Sequence, residues 1–477
     1  MDDAPRKVEC RAEAEAAFRH AMDLDPGNPA PIMKLAEFLA DAGRIPDTAP
    51  LLKRVLELAP GHSGAVSGLL ATRLYDPTWT PEELSRFHRD WCASLEARVR
   101  PLPPARPERN LHRRLRVAYL SSDFRQHSCA DFIEPLLRAH DRRQVEVLLF
   151  NSYPRHDART RVFQRLADVW VEVHALADAE LAEAIRRAQV DVLVDLSGHS
   201  AFNRLTMLPL RPAPVQLEWL GYPFTTGLNC LEGRITDSRV DPPGQEALSS
   251  EPLLRLDPCY LCWEPPAGLP EPATSPCLRG AAFTFGSFNH FAKLNGAVVE
   301  TWAALLRRVP DSILLLKGKG ASDSVLRGRL LKGFIDEGVR ADRIQFAGFL
   351  DDSAAHFASY GQVDLALDPF PYNGVTTTLE ALWMGVPVLA MEGRHSLSRH
   401  GAAILGLLGL DELVASDPMD YADRAATLAS DPVRLQALRA GMRKRLSDSP
   451  IRDPLGFARR MEELYRQLWI KACEGLA

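Results

Sequence analysis

One run holds most of the chemical potential of this chain: Asp368-Pro-Phe-Pro-Tyr-Asn-Gly-Val-Thr-Thr-Thr-Leu-Glu380. An apolar stretch, Val363 to Leu367, leads into a Pro/Asn/Gly turn, and three threonines then open a helical segment. Free backbone N–H groups and small hydroxyls at a helix start favour a bound anion such as a nucleotide diphosphate. Glu380 follows Thr376 by four residues, on the same helix face, where a carboxylate can accept hydrogen bonds from a ribose. The run reads as the nucleotide end of a sugar-nucleotide site, with Asn373, Thr376, Thr377 and Glu380 as candidate contacts.

A second segment, Ser287-Phe-Asn289-His290-Phe-Ala-Lys293, comes after another strand-like run. Ligands of parallel sheets sit at the carboxyl ends of strands. Lys293 there can neutralise a diphosphate leaving group, although an exposed surface lysine is the competing reading. Asn289 and His290 join it as candidates, and His356, just before the Val363 strand, can touch a base or phosphate. Earlier in the chain, His127 and His199 also come after strands, in Ser-Ser-Asp123-Phe-Arg-Gln-His127 and Asp195-Leu-Ser-Gly-His199. Either imidazole could orient an acceptor hydroxyl, bind phosphate or move a proton near neutral pH; a satisfied core histidine is the alternative. Asp195 could instead hold an imidazole tautomer. Cys259-x-x-Cys262 has half of a zinc pattern, but no second pair lies at suitable spacing, so no metal and no cofactor are expected.

These groups need elements to hold them. Leu24, Pro26 and Gly27 recur 34 positions later as Leu58, Pro60 and Gly61, the period of tetratricopeptide helix pairs. Two units are legible, with a degenerate helical stretch to about Ala97 as a cap; so short an array should pack on the neighbouring domain. Pro101-Leu-Pro-Pro-Ala-Arg-Pro107 reads as a semi-rigid linker. Apolar runs near 116–120, 145–150, 191–196 and 215–220 then alternate with helical stretches, which implies parallel βαβ packing. The looser segment 241–280 reads as a connection. The alternation restarts with strands expected near 283–288, 313–317, 344–349, 363–367, 387–391 and 412–414. Two successive parallel-sheet domains make a ligand cleft between them the expectation. No G-x-G-x-x-G opens either, so the usual nicotinamide or flavin loop is missing.

At 477 residues, several domains are needed. A formal net charge of −5 offers no basic surface for nucleic acid. No apolar run spans a bilayer and no secretory signal opens the chain, so a cytoplasmic protein with no membrane partner is expected. Eight cysteines suit reduced thiols.

Taken together, the segments resemble the O-GlcNAc transferase and SPINDLY family of glycosyltransferases from about Leu115 to Trp469. The resemblance is carried by Leu115-Arg-Val-Ala-Tyr-Leu-Ser-Ser-Asp-Phe124, Gly198-His199, Arg211-Pro-Ala-Pro-Val-Gln216, Gly221-Tyr-Pro223, Arg234-Ile-Thr-Asp237, Gly286-Ser-Phe-Asn289 with Lys293, and Thr376-Thr-Thr378. It implies an α/β fold of GT-B type: repeats over 1–100, a linker over 101–111, an acceptor-side Rossmann-like lobe over 112–270, a nucleotide-sugar lobe over 280–455, and a final helix, 456–477, returning to the first lobe. It further implies inverting, metal-independent transfer from a nucleotide sugar to Ser or Thr of a protein acceptor. Lys293 would contact the diphosphate, Thr376 and Thr377 would cap it, Glu380 would hold the ribose, and His356 would lie near the nucleotide. His127 and His199 would sit at the sugar and acceptor end. Val375 stands where animal members carry His, and Thr-Thr-Thr with Phe-Gly-Ser-Phe-Asn is nearer to the SPINDLY branch. A UDP-sugar carrying GlcNAc is the first expectation. A GDP-fucose donor and a nucleotide-binding scaffold without turnover are the alternatives.

Overall fold

The computed structural model describes residues 4–103 and 110–475. The second half of the Pro-rich segment, from residue 104, and the last two residues expected in the final helix lie outside the described residues. The chain divides into two compact units, residues 1–79 with 265–448, and residues 80–264 with 449–477.

The first unit opens with helices α1 (Ala4–Leu24), α2 (Pro29–Ala42), α3 (Ile45–Leu58) and α4 (Ser63–Arg73). The 34-residue period is visible as helix ends: α1 and α3 stop at Leu24 and Leu58, just before each Pro-Gly. Asn28 accepts the Ala30 N–H at 3.0 Å to start α2 behind Pro29 at the first turn. Ile32, Ala36, Leu52, Val55, Ala65 and Leu69 bury together, so each hairpin covers the apolar face of the next. These helices also pack on residues far along the chain, in the same unit. Asp41 pairs with Lys319 at 2.9 Å and Asp47 with Arg329 at 3.0 Å.

The sheet of this unit comprises β8 (Thr284–Ser287), β9 (Ile313–Lys317), β10 (Ile344–Ala347), β11 (Leu365–Leu367), β12 (Val388–Met391) and β13 (Val414–Ala415). All are parallel, in the order β10-β9-β8-β11-β12-β13. Its helices are α9 (Gly296–Arg308), α10 (Ser324–Asp336), α11 (Ser353–Ala358), α12 (Thr376–Trp383), α13 (His400–Leu407), α14 (Pro418–Ser430) and α15 (Pro432–Ser447).

The second unit holds β1 (Leu115–Ser121), β2 (Val145–Asn151), β3 (Val169–Glu172), β4 (Val192–Asp195), β5 (Val215–Glu218), β6 (Gly233–Thr236) and β7 (Leu253–Arg255), parallel in the order β3-β2-β1-β4-β5-β6-β7. Its helices are α5 (Pro81–Glu96), α6 (Ala130–Ala139), α7 (Ala158–Leu166), α8 (Asp178–Arg187) and α16 (Pro454–Cys473). Here α5 departs from the expectation of a repeat cap: its Cys92 is in the core of this sheet's unit, with Leu148, Phe150 and Leu193. Helix α16 packs on α6, and Tyr465 and Glu462 meet Tyr119 and His140 at 3.1 and 2.8 Å. Each sheet reverses its strand order once, between β1 and β4 and between β8 and β11. Such switch points open a crevice at the strand carboxyl ends.

Candidate active site

The switch point of the sheet containing β8 brings Asn289, Lys293 and the start of α12 together. β8 ends at Ser287 and delivers Asn289 and Lys293; β11 ends at Leu367 and delivers the 368–375 turn and α12. The turn is organised by Asp368, 1% exposed, whose Oδ1 accepts the Gly374 N–H at 2.7 Å. Gly374 is needed because a Cβ there would lie 2.5 Å from Thr377 Oγ1 and 2.9 Å from Asn289 Oδ1. Val375 offers no side-chain cap, and the helix ladder begins with the Leu379 N–H on the Val375 carbonyl at 3.0 Å. The N–H groups of Thr376, Thr377 and Thr378 therefore precede that ladder at the positive end of α12.

Lys293 comes to the same place. Its Nζ donates to the Asn373 carbonyl at 2.7 Å and to Asn289 Oδ1 at 3.4 Å, and lies 4.2 Å from the Tyr372 ring centroid. Thr377 Oγ1 donates to the same Asn289 oxygen at 3.2 Å. Asn289, Lys293 and Thr377 thus form one contiguous cluster, with Thr376 beside them at the first position of α12. Burial lowers the Lys293 pKa and raises that of Asp368, with their mutual attraction opposing both shifts. Asn373 serves differently from the expectation: its side chain donates to Pro369 O at 3.0 Å and accepts from Gly401 N at 3.3 Å, so it builds the turn and presents its backbone carbonyl to Lys293.

His356 and Glu380 meet within a chain of four groups. Lys317 Nζ donates to His356 Nδ1 at 2.6 Å, so Nε2 carries the imidazole proton and donates to Glu380 Oε2 at 3.0 Å. Tyr360 OH donates to the same carboxylate oxygen at 2.9 Å. Phe288 stacks on Tyr360 with centroids 4.4 Å apart. Lys317 is only 3% exposed, and burial pushes its pKa down to about 8 against the pull of Glu380. Sequence reasoning missed Lys317, Tyr360 and Asp368 as members. Their signal was position: each closes, precedes or directly succeeds a strand of this sheet.

The Nε2 of His290 faces the Asp41 carbonyl at 3.2 Å and its Nδ1 accepts the Ala292 N–H at 3.3 Å, so the ring joins the lobe to the repeats.

His199 is enclosed in the unit of the first sheet. It is 2% exposed, its Nε2 donates to the Thr226 carbonyl at 2.7 Å, and Tyr222 and His88 rings lie 5.1 and 5.6 Å away. Burial pushes its pKa down to about 3, with His88 adding repulsion. An imidazole so enclosed is neutral near pH 7. His88 is its counterpart: Nδ1 donates to Leu84 O at 2.7 Å, Nε2 accepts from Tyr222 OH at 2.8 Å, and burial pushes the pKa down to about 4. Asp195, fully buried, holds the Gly198 N–H at 2.7 Å and is pushed up to about 7 by burial; it shapes the loop rather than a histidine tautomer. His127 is the more accessible of the two expected histidines, at 34% side-chain exposure. Its Nδ1 lies 3.4 Å from Asp123 Oδ2 and 3.2 Å from the Cys129 N–H that it accepts. Donor atoms of Asp123, His127 and Cys129 lie within 4.8 Å of one another. Burial holds the Cys129 thiol pKa well above the usual value, which favours a hydrogen-bonded loop over a thiolate ligand. Cys259 and Cys262 are likewise buried with raised pKa values, as core thiols are.

Residues 100–262 and 275–461 match the profile of glycosyl transferase family 41, and residues 11–72 match a tetratricopeptide repeat profile. The chain belongs to glycosyl transferase family 41. It is 34% identical over 424 residues to a protein of Petunia hybrida named probable UDP-N-acetylglucosamine–peptide N-acetylglucosaminyltransferase SPINDLY, covering 88% of this chain and 46% of that one. The corresponding SEC protein of Arabidopsis thaliana is 27% identical, with 82% and 42% covered. The chain thus spans about half the length of the curated relatives it matches. A solved structure of a lysine-to-methionine variant of Thermobaculum terrenum O-GlcNAc transferase is 35% identical, superposes with a TM-score of 0.92, and covers 98% of this chain and 90% of that one. Among the described residues, no helix is long and apolar enough to cross a membrane.

Proposed function

We propose that this chain transfers a sugar, with UDP-GlcNAc the first donor to test, to a Ser or Thr hydroxyl of a protein. The observation that carries the reading is the convergence of Lys293, Asn289 and Thr377 on the start of α12, at the switch point of their sheet. In the reaction the acceptor oxygen bonds to the anomeric carbon as its bond to the donor phosphate oxygen breaks. The electron pair leaves on the nucleoside diphosphate, and the hydroxyl proton passes to a base. Lys293 and the α12 N–H groups supply positive charge where that leaving group develops negative charge. The proposed transfer therefore inverts the anomeric centre and requires no divalent cation. The His356–Glu380 pair would take the ribose and base. Of the two first-lobe histidines named from sequence, His127 is exposed enough to meet a substrate.

Calorimetric titration with UDP and GDP, on the wild type and Lys293→Met, tests the site. Intact-mass analysis of candidate acceptor proteins, after incubation with UDP-GlcNAc or GDP-fucose in EDTA, tests the reaction. A sugar added from UDP-GlcNAc supports the reading, and one added only from GDP-fucose moves the donor to the alternative. Nucleotide binding without any added or released sugar would leave a scaffold.

A further inference from the structure

We propose that Tyr75, from the repeat segment, is a positioning residue for Lys293, so that the repeats are part of the donor site's construction. The inference rests on the proposed role of Lys293 at the donor diphosphate.

Tyr75 lies just past α4, held in a turn by its N–H on the Thr72 carbonyl at 3.3 Å. Its ring stands 4.9 Å from that of Tyr372, inclined by 32°. Burial pushes the Tyr75 pKa up to about 12, with Tyr372 opposing the shift, so its hydroxyl stays protonated. Tyr372 in turn carries the Lys293 ammonium 4.2 Å from its ring centroid, and the next residue, Asn373, receives the ammonium's 2.7 Å hydrogen bond. Tyr75 therefore acts on the wall against which the lysine rests. A cation over an aromatic face depends on the ring's orientation, and an aromatic neighbour at this separation restrains that orientation.

The repeat segment holds the other side of the same loop as well. The Asp41 carbonyl meets His290 Nε2 at 3.2 Å, three residues before Lys293, and the Tyr75 ring lies 6.5 Å from His290. The junction leaves no slack. A Cβ on Gly43 would stand 2.9 Å from Ala292 N, and one on Gly320 would stand 2.8 Å from Ala42 O. Arg44, its side chain 7% exposed, lies 3.9 Å from Asp323 across it. Two loops that define the lysine, 289–293 and 369–374, are thus both buttressed by residues before position 80.

The test is a double-mutant cycle on the full chain, read by calorimetric titration with UDP and GDP in the wild type, Tyr75→Ala, Lys293→Met and the double variant. Tyr75→Ala should weaken the bound nucleotide about tenfold in the wild-type background, the scale of one aromatic and one cation–π contact, and less than about twofold with Lys293→Met. Tyr75→Phe, which keeps the ring, should restore most of the affinity. Equal losses in both backgrounds would mean that Tyr75 only stabilises the fold, and would overturn the proposal. A second readout needs no ligand: the pH profile for modification of Lys293 by an amine-specific reagent, mapped by mass spectrometry. Tyr75→Ala should move its midpoint toward that of an ordinary lysine, and an unmoved midpoint would overturn the proposal. If neither nucleotide binds the wild type, the functional reading fails, and the labelling profile still decides the role of Tyr75.

Discussion

Replacing Lys317 by Met should separate stability from function at the proposed nucleotide site. The side chain is 3% exposed, and burial moves its pKa from 10.5 to about 8. That fall makes the ammonium less favourable in the fold than in the unfolded chain by about 3 kcal/mol at neutral pH. The penalty is complete below the folded value near 8 and fades as pH rises toward 10.5, where the unfolded lysine also loses its proton. Met removes the penalty but leaves His356 Nδ1 without its 2.6 Å donor, at about 1–3 kcal/mol. It also removes the cation 4.9 Å from the Phe288 centroid, at about 0.5–1 kcal/mol. The opposing terms leave the variant within about 1.5 kcal/mol of the wild type at pH 7. Between pH 7 and 10 the wild type should gain about 2 kcal/mol over the variant. Nucleoside diphosphate affinity should meanwhile fall about tenfold, the worth of one net hydrogen bond, because the His356 proton is no longer fixed toward Glu380. Urea denaturation at the two pH values and calorimetric titration read these quantities. A loss above about 3 kcal/mol at pH 7, or a stability difference flat across that range, would refute the assignment of Lys317 as a buried, destabilising, site-ordering ammonium.

Lys293→Met should weaken UDP or GDP binding by at least about tenfold, since charge-assisted hydrogen bonds are worth about 1.5–3 kcal/mol; calorimetric titration checks it. His199→Asn should change the pH dependence of stability. A histidine whose folded pKa is about 3 costs stability progressively as pH falls below 6.5. The wild type should therefore lose about 2 kcal/mol relative to the variant between pH 7 and 5, measured by urea denaturation. Comparing the two removes the opposite contribution of Asp195, whose raised pKa relieves strain on acidification. Gly198→Ala should destabilise the unit built on β1 to β7 by about 2 kcal/mol or more, because φ is +51° and the added Cβ would stand 2.2 Å from the Tyr222 Cβ; thermal unfolding reads it.

Local patterning determined much of this protein. The 34-residue recurrence marked the ends of α1 and α3, and apolar runs between helical stretches marked β1, β2, β4 and β5 and the strands from β8 to β13. Backbone conformation answers to neighbouring residues, so these features are written locally. Two of the strands without such a mark have physical reasons for it: β3 is half-exposed, with Val169 at 37% exposure, and β6 contains Gly233, Arg234 and Thr236, with Arg234 meeting Asp241 at 3.1 Å; a third, β7, lies in the segment read as a connection. Lys293 and Thr377 could be named from sequence because each comes shortly after a strand's carboxyl end. Tertiary structure alone decided which polar side chains were already satisfied. His199, His290 and His356 looked alike in sequence, yet Thr226, Asp41 and the Lys317–Glu380 pair, all distant along the chain, give each ring a different set of partners. Lys317, Tyr360 and Tyr75 acquire their roles the same way, from His356, Glu380 and Tyr372. A hydrogen bond depends on distance in space, and strand spacing carries no record of what the fold brings alongside.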